Sequence, residues 1–339
     1  MVLHLGDYIY EYGPGTYGNG SRTHLPEKEL ITLSDYRLRY SQYRLDSNLR
    51  DAHQAHPFIT IWDDHEIANN SYKDGAQNHQ ADEGSYVTRL AAAKKAYYEW
   101  LPVRESQQLY RSFDFGPLAE IIMLDERLAG RTAPPDSLKD PKIDSAKMLG
   151  DEQLNWFKEK LVNANSQWKI IGNQVIFSYL NWGQESFSIN LDSWDGYPLE
   201  RESIKQMIIE NGIENVVFVT GDTHSSWAFE VTDKPFTEYN PDTGEGAFAV
   251  EFGTTSINSG NSDERSPVEV VKELENYITN SPVNPHLKYS NLRDHGYLLL
   301  SLTKKSATAS WYFVDLNNSS SGVKIYSTTT NSGDNRLNN

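Results

Sequence analysis

Three short stretches place acidic or imidazole side chains directly after an apolar run. VLHLGD ends in Asp7, ITIWDDHE in Asp63, Asp64, His65 and Glu66, and VVFVTGDTH in Asp222 and His224. Such apolar runs read as buried strands. Open α/β sheets gather ligands in the crevice beyond the carboxyl ends of their strands. Three parallel strands would therefore bring five carboxylates and two imidazoles to one place. Carboxylates crowded without partners raise one another's pKa, and a multivalent cation removes that conflict. Convergence thus implies a metal. Oxygen donors with some imidazole suit Ca²⁺, Mn²⁺, Fe³⁺ or Zn²⁺ alike. Each stretch also has an ordinary reading: GD as a turn, DDHE as acids opposing a helix dipole, GDTH as a capped turn. The repetition of one arrangement favours the metal.

The elements that must position these groups follow from the apolar pattern. Residues 1–6 read as a strand, 11–30 as a long surface loop, and 32–56 as one long helix or two shorter ones, with Thr32 and Ser34 both plausible N-caps. FITIW, residues 58–62, is a second strand, and YVTRLAAAKKAYYEWLP is an amphipathic helix closed by Pro102. LYRSFDFG and AEIIMLDER form an antiparallel pair about Gly116-Pro117. Further on come a helix from Asp151 to about Asn165, the strand WKIIGNQVIFS, a helix over 199–210 and the strand NVVFVT. The last third is strand-rich (WAFEV, AFAVEFGTTS, HGYLLLSLT, SATASWYFVD), interrupted by a helix from Ser266-Pro267. No repeat or linker divides the chain. Residues 1–330 are expected to form one catalytic domain and 331–339 a disordered tail.

Composition narrows the function. With 339 residues, 31 Lys plus Arg and 47 Asp plus Glu, the formal charge is −16. That sign argues against a stable nucleic-acid partner, whose binding depends on cations that displace phosphate counterions. No apolar run approaches the ~18 residues needed to span a bilayer. The absence of cysteine excludes disulfide scaffolds, cysteine–zinc sites, iron–sulfur clusters and thiol nucleophiles. No G-x-S-x-G, P-loop lysine or H-E-x-x-H occurs. Gly13 to Gly18 (GPGTYG) matches G-x-G-x-x-G, but no helix opens there. His4, His24, His53, His56, His79, His286 and His295 read as surface or core residues, with His56 the one placed to support a ligand from behind.

LHLGDYIYEYG (3–13), DYRLRYSQYRLD (35–46), HPFITIWDDHEIANN (56–70), NQVIFS (173–178), SWDGYP (193–198) and VFVTGDTHSSW (217–227) together carry a family pattern. The chain resembles the calcineurin-like metallophosphoesterases, in the variant of the PhoD-type alkaline phosphatases and phosphodiesterases, from residue 1 to about 315. The resemblance implies a four-layer α/β/β/α metallophosphoesterase sandwich, N-terminally truncated, with Fe³⁺ and Ca²⁺ between its sheets. It implies hydrolysis of small phosphate mono- and diesters at alkaline pH by a monomeric, secreted bacterial enzyme, extracellular or periplasmic. By the same resemblance, Asp7 is the carboxylate shared between metals and Tyr10 the tyrosinate on iron. Asp64 stands where related enzymes have a bridging Asn, and His65 where they have the histidine at the leaving group. Asp222 and His224 take the last metal positions. Asp63 joins the metal set, Asn69 and Asn70 lie near enough to be ligands or phosphate contacts, and Trp194, Asp195 and Tyr197 either line the substrate mouth or form a rigid turn with a packed Trp. Arg37, Arg44 and Arg127 are phosphate candidates, although an ordinary salt bridge is the preferred reading of each.

Met1 stands only six residues before Asp7, whereas the family has a strand and an iron-binding cysteine ahead of that segment. The expectation is a missing first strand and first metal motif, an incomplete iron site and impaired turnover. Two alternatives use the same fold: a calcium-binding or surface-interaction protein without catalysis, and a phospholipase D-like phosphodiesterase.

Overall fold

The computed structural model describes residues 1–17, 23–185, 187–316 and 322–338. In chain order it contains β1 (Val2–His4), α1 (Leu33–Tyr43), α2 (Ser47–Ala55), β2 (Phe58–Thr60), β3 (Ser71–Tyr72), β4 (Gly75–Ala76), α3 (Tyr86–Trp100), β5 (Arg111–Phe115) and β6 (Ala119–Met123). It continues with α4 (Gly150–Asn163), β7 (Trp168–Asn173), α5 (Pro198–Glu210), β8 (Val216–Thr220), β9 (Ser226–Val231), β10 (Ala249–Gly253), α6 (Val268–Asn280), β11 (Leu287–Asn291), β12 (Gly296–Leu302), β13 (Ser306–Phe313) and β14 (Val323–Asn331).

A seven-stranded mixed sheet runs in the order β11-β9-β10-β8-β7-β6-β5. Its β10, β8, β7 and β6 are parallel. Side chains alternate across a strand, and here the alternation assigns each face its neighbours. Ile122, Ile171 and Phe218 pack with Phe157 and Leu161 of α4 and Ile204 and Ile208 of α5. Ile121, Ile170, Val217 and Val219 face the other way, into a core shared with Ile59, Ala309 and Trp311 and with Tyr36, Tyr40 and Tyr97 of α1 and α3. That second core is built on the parallel pair β1-β2, in register Val2↔Phe58 to His4↔Thr60, and the antiparallel β12-β13-β14. Helices, large sheet, smaller sheets, helices: the four-layer sandwich is present.

Local chemistry sets the boundaries. The 32–56 segment is two helices. Thr32 caps the first in a reciprocal capping box with Asp35, and the Asp46 side chain caps the second by accepting from Leu49 N–H. The strand through WKIIGN stops at Asn173 because the next two backbone N–H groups, of Gln174 and Val175, donate to the buried Glu126 carboxylate. The β3-β4 hairpin, β11 and β14 lie outside the expected elements.

Two expectations need correction. The tail is not disordered through 338: Gly333 N–H donates to Asn215, Leu337 N–H to Glu230, and Asn338 bridges to Thr329. His56 is exposed at the end of α2, so it supports no ligand. At the glycine-rich stretch, Thr16 N–H turns back to Gly13 and no helix opens among its described residues; Gly18 lies outside them. No helix among the described residues is long and apolar enough to cross a membrane.

His286 is wholly buried, its Nε2 bonded to the Tyr179 carbonyl and its Nδ1 without a partner. Burial pulls its pKa down to about 4. The unfolded chain therefore binds a proton that the folded one does not between about pH 6.5 and 4, and stability falls as pH drops through that window. In metal-stripped protein, urea titrations of wild type and His286→Gln should diverge less at pH 4.5 than at pH 7. The difference contributed by this residue is on the order of 2–3 kcal/mol. A constant difference would show that the fold does not hold this imidazole neutral.

Candidate metal centre

The three acidic stretches leave strands of two different sheets and meet between them. β1 and β2 belong to the small parallel pair, β8 to the large sheet. After each of β1 and β8 the backbone turns through left-handed conformations: Gly6 at φ 115°, Asp7 at 56°, Asp222 at 61° and His224 at 52°. Non-glycine residues rarely sit there, and such strain persists only where surroundings over-determine it. Gly6 is needed for a second reason: a Cβ on it would lie 2.2 Å from the Asp63 Cβ. The absent side chain lets the first two acidic stretches touch.

Buried glutamates hold the Asp7 turn and the loops beside it. Glu66, 1% exposed, accepts from the backbone N–H groups of Asp7 (3.0 Å), Asp63 (2.8 Å) and Tyr8. Glu11 accepts from Asn69 N–H and Asn78 Nδ2 and contacts His65 Nδ1 at 2.7 Å. Glu126 accepts from Gln174 N–H, Val175 N–H and Trp194 Nε1, and Glu251 from Phe177 N–H, Ser178 N–H and the Thr220 hydroxyl.

Three overlapping donor sets result. Tyr10 Oη lies 2.7 Å from His224 Nε2 and 3.2 Å from Asp7 Oδ2, and the last two are 3.8 Å apart. Ligands of one small cation stand about 3 Å from each other when their bonds are about 2 Å, so this triangle has the dimensions of a metal face. Further sets with ligand atoms within 4.8 Å of one another are Asp7, Asp64 and His65, and Asp63, Asp64 and Asp222. Asp7 Oδ1 and Asp63 Oδ2 are buried acceptors with no hydrogen-bond partner. Unpaired buried carboxylate oxygens are costly, and a cation fits them.

Arg127 partly relieves the crowding. Its wholly buried guanidinium pairs through Nε with Asp63, through Nη1 with Asp192 (2.6 Å) and through Nη2 with Asp222 (2.9 Å), while Asp64 lies 3.6 Å away. Arg131 holds Asp192 from the other side. Burial, followed by the charges of Asp192, Asp64 and Asp7, pushes Asp222 up to about 7 against the pull of Arg127. Burial likewise carries Asp63 well above the carboxylate range. Asp64 goes the other way: burial opposes its charge, but Arg127, His65 and the N–H of Asn70 bring it down to about 2. Burial also opposes the charged form of His65, yet Asp64, Glu11 and Asp7 hold its pKa well above the usual imidazole value.

Asp7, Tyr10, Asp63, Asp64, His65, Asp222 and His224 are thus brought together, and Asn70 stands beside them, its N–H on Asp64 (2.6 Å) and its amide on Gln77. Asn69 also reaches Gln77. Trp194, Asp195 and Tyr197 do not line an opening, which corrects the sequence expectation. All three are buried: Trp194 donates to Glu126, Asp195 pairs with Arg201, and the Tyr197 hydroxyl sits between Arg131 and Thr132. Their turn braces Asp192 and so Arg127. Arg37 pairs with Glu99 at the surface and Arg44 reaches the Trp100 carbonyl, as ordinary contacts. Arg127 makes ion pairs too, but inside the site. Sequence reasoning missed Asp192, Arg131 and the supporting role of the glutamates.

The family model of PhoD-like phosphatases matches residues 1–311. The chain belongs to the PhoD-like phosphatase family. It is 38% identical over 332 aligned positions to alkaline phosphatase D of Bacillus subtilis (strain 168), an alignment covering 89% of this chain and 52% of that protein. The chain thus spans about half the length of this curated relative. A solved structure of PhoD superposes with a TM-score of 0.81 at 32% identity, over 99% of this chain and 65% of that one. Purple acid phosphatase PPD1 from yellow lupin seeds matches with a TM-score of 0.52 at 12% identity, over 87% and 44%, a likeness of fold alone. Family and fold imply bound metal ions, in keeping with the acidic sets of this PhoD-like chain.

If Arg127 is the main neutralising charge of the carboxylate cluster, Arg127→Met should destabilise metal-stripped protein by about 3–5 kcal/mol at pH 8, the usual cost of orphaning buried charges. The loss should shrink towards pH 5, as the raised carboxyls take up protons. Lysine, a single point charge, cannot span three carboxylates and should recover only part. Urea titrations of the three proteins check this.

Proposed function

We propose that this PhoD-like chain is a metal-dependent phosphoric ester hydrolase acting on small phosphate mono- and diesters. The observation that carries the reading is the meeting of Asp7, Tyr10 and His224 at ligand spacing, beside a second, carboxylate-rich set. A phenolate, an imidazole and a carboxylate suit Fe³⁺, whereas Asp63, Asp64 and Asp222 offer the all-oxygen surroundings that Ca²⁺ takes. Asp7 and Asp64 are placed to serve more than one ion. When bound, such metals polarise the phosphoryl oxygens and supply an activated water.

The chain's own residues account for the rest of the chemistry. Glu11 on Nδ1 orients the His65 ring, and the surrounding carboxylates keep it protonated, as an acid delivering a proton to the leaving-group oxygen must be. Asn70, fixed by its N–H on Asp64 and its amide on Gln77, offers a polar contact for a phosphoryl oxygen. Arg127 has its fork occupied by aspartates, which supports a role in holding the ligands rather than gripping phosphate. Extending the family resemblance, we place the protein outside the cytoplasm as a monomer.

Hydrolysis of p-nitrophenyl phosphate and its bis ester at alkaline pH tests the reading. Turnover should vanish with a chelator and return with Fe³⁺ and Ca²⁺, and His65→Ala should lower kcat by about 10²- to 10⁴-fold. Stoichiometric calcium without turnover of either ester would replace the enzyme by a calcium-binding protein. Metal analysis of the same samples separates the two: iron with a visible phenolate band supports Tyr10 as its ligand.

A further inference from the structure

Tyr17 lies on the loop after β1, far in sequence from every other aromatic of the site except Tyr10 and Tyr12. Its ring stacks on Tyr10 with centroids 5.0 Å apart and planes 11° from parallel, and on Tyr12 at 5.7 Å. Its hydroxyl lies 2.9 Å from His224 Nδ1 and donates to the Gly260 carbonyl at 3.4 Å. His224 Nδ1 is itself 2.8 Å from that carbonyl.

Proton bookkeeping makes this arrangement directional. A carbonyl only accepts, so Nδ1 carries the hydrogen and the neutral ring keeps its lone pair on Nε2. That is the atom facing Tyr10 Oη and Asp7 Oδ2. Tyr17 accepts a share of the Nδ1–H and passes its own hydrogen to Gly260. It thereby ties the imidazole, the carbonyl and the loop into one three-centre contact. A donor hydrogen shared between two oxygens fixes the ring's tautomer and rotation, which is how groups behind a ligating histidine strengthen metal binding. The stack does the same for Tyr10: a half-buried ring covers one that is 4% exposed.

We propose that Tyr17 is a positioning residue of the metal centre, holding His224 with Nε2 bare towards Asp7 and Tyr10 while its ring covers Tyr10. The inference rests on the metal-centre reading above. The hydroxyl and the ring have separable duties. Tyr17→Phe keeps the stack and removes the hydrogen bonds; Tyr17→Ala removes both.

Calorimetric titration of chelator-stripped protein with Mn²⁺ alone tests it, with melting of the metal-free form as the second measurement. Tyr17→Phe should bind Mn²⁺ about tenfold more weakly than wild type, with an unchanged metal-free Tm, and Tyr17→Ala should bind more weakly again. Wild-type affinity in Tyr17→Phe would overturn the assignment, as would a fall in metal-free Tm with affinity intact, which is the signature of a loop anchor only. Absence of Mn²⁺ binding by the wild-type chain would overturn the metal-centre reading itself, and this assignment with it.

Discussion

Carboxylates that repel one another are held a few ångströms apart between two sheets, and much of the surrounding structure exists to keep them there. Left to itself such a cluster would spread, protonate or open to water. Three devices oppose that. Arg127 sets one delocalised charge against Asp63, Asp192 and Asp222. Left-handed turns at Asp7, Asp222 and His224 aim short side chains inward from the strand ends. Buried Glu66 binds the backbone of the Asp7 turn and of Asp63, and Glu126 binds the segment that follows β7, so that these loops are held in place. The remaining imbalance of charge, together with unpartnered oxygens on Asp7 and Asp63, is what makes the centre a receptor for cations.

The acids that meet here were legible in the sequence because each stretch shows the same visible sign, an apolar strand that stops and an acid that follows. The fold class was legible for a related reason: the near-continuous apolar runs in AEIIM and VVFVT betray strands buried on both faces, and 3.6-residue spacing marks the helices. What brought the acids together was less legible. They leave strands of two facing sheets, and no local pattern tells which sheet a strand will join. β11 and β14 were hidden because LKYSN and VKIYSTTTN mix polar and apolar residues without an uninterrupted run.

SWDGYP shows a different limit. A Trp and a Tyr in a glycine-containing turn read the same whether they point outward to substrate or inward to the core. The deciding fact is the partner each finds: Glu126 for Trp194 and Arg131 for Tyr197, both far off in sequence, and Arg201 of α5 for Asp195. Arg127 was similarly ambiguous, since its aspartates come from segments 64, 65 and 95 residues away. The tail follows the same rule in part, held by Asn215 and Glu230 from far along the chain as well as by neighbouring Thr329.

Side-chain length explains why the acids divide their labour. An aspartate at a left-handed turn carries its carboxylate close to the backbone, with few rotatable bonds, so the turn itself aims it; that suits a ligand whose position must not vary. A glutamate has one more methylene and can fold around to the N–H groups of a neighbouring turn. Glu66 does this for Asp7, Tyr8 and Asp63, leaving Asp63 free to pair with Arg127 and face the centre. Glu66 lies in the same DDHE block as two ligands and faces the same way in the sequence, yet both its oxygens are spent on backbone donors. Burial, followed by the Asp7 charge, pushes its pKa up to about 8, against the three N–H groups. A cation drawn towards Asp7 would offset that repulsion, so occupation of the centre and ionisation of the acid that holds its loops favour each other. Glu66 and Asp7 are therefore coupled through one charge, although only the Asp7 carboxylate faces the candidate metal site.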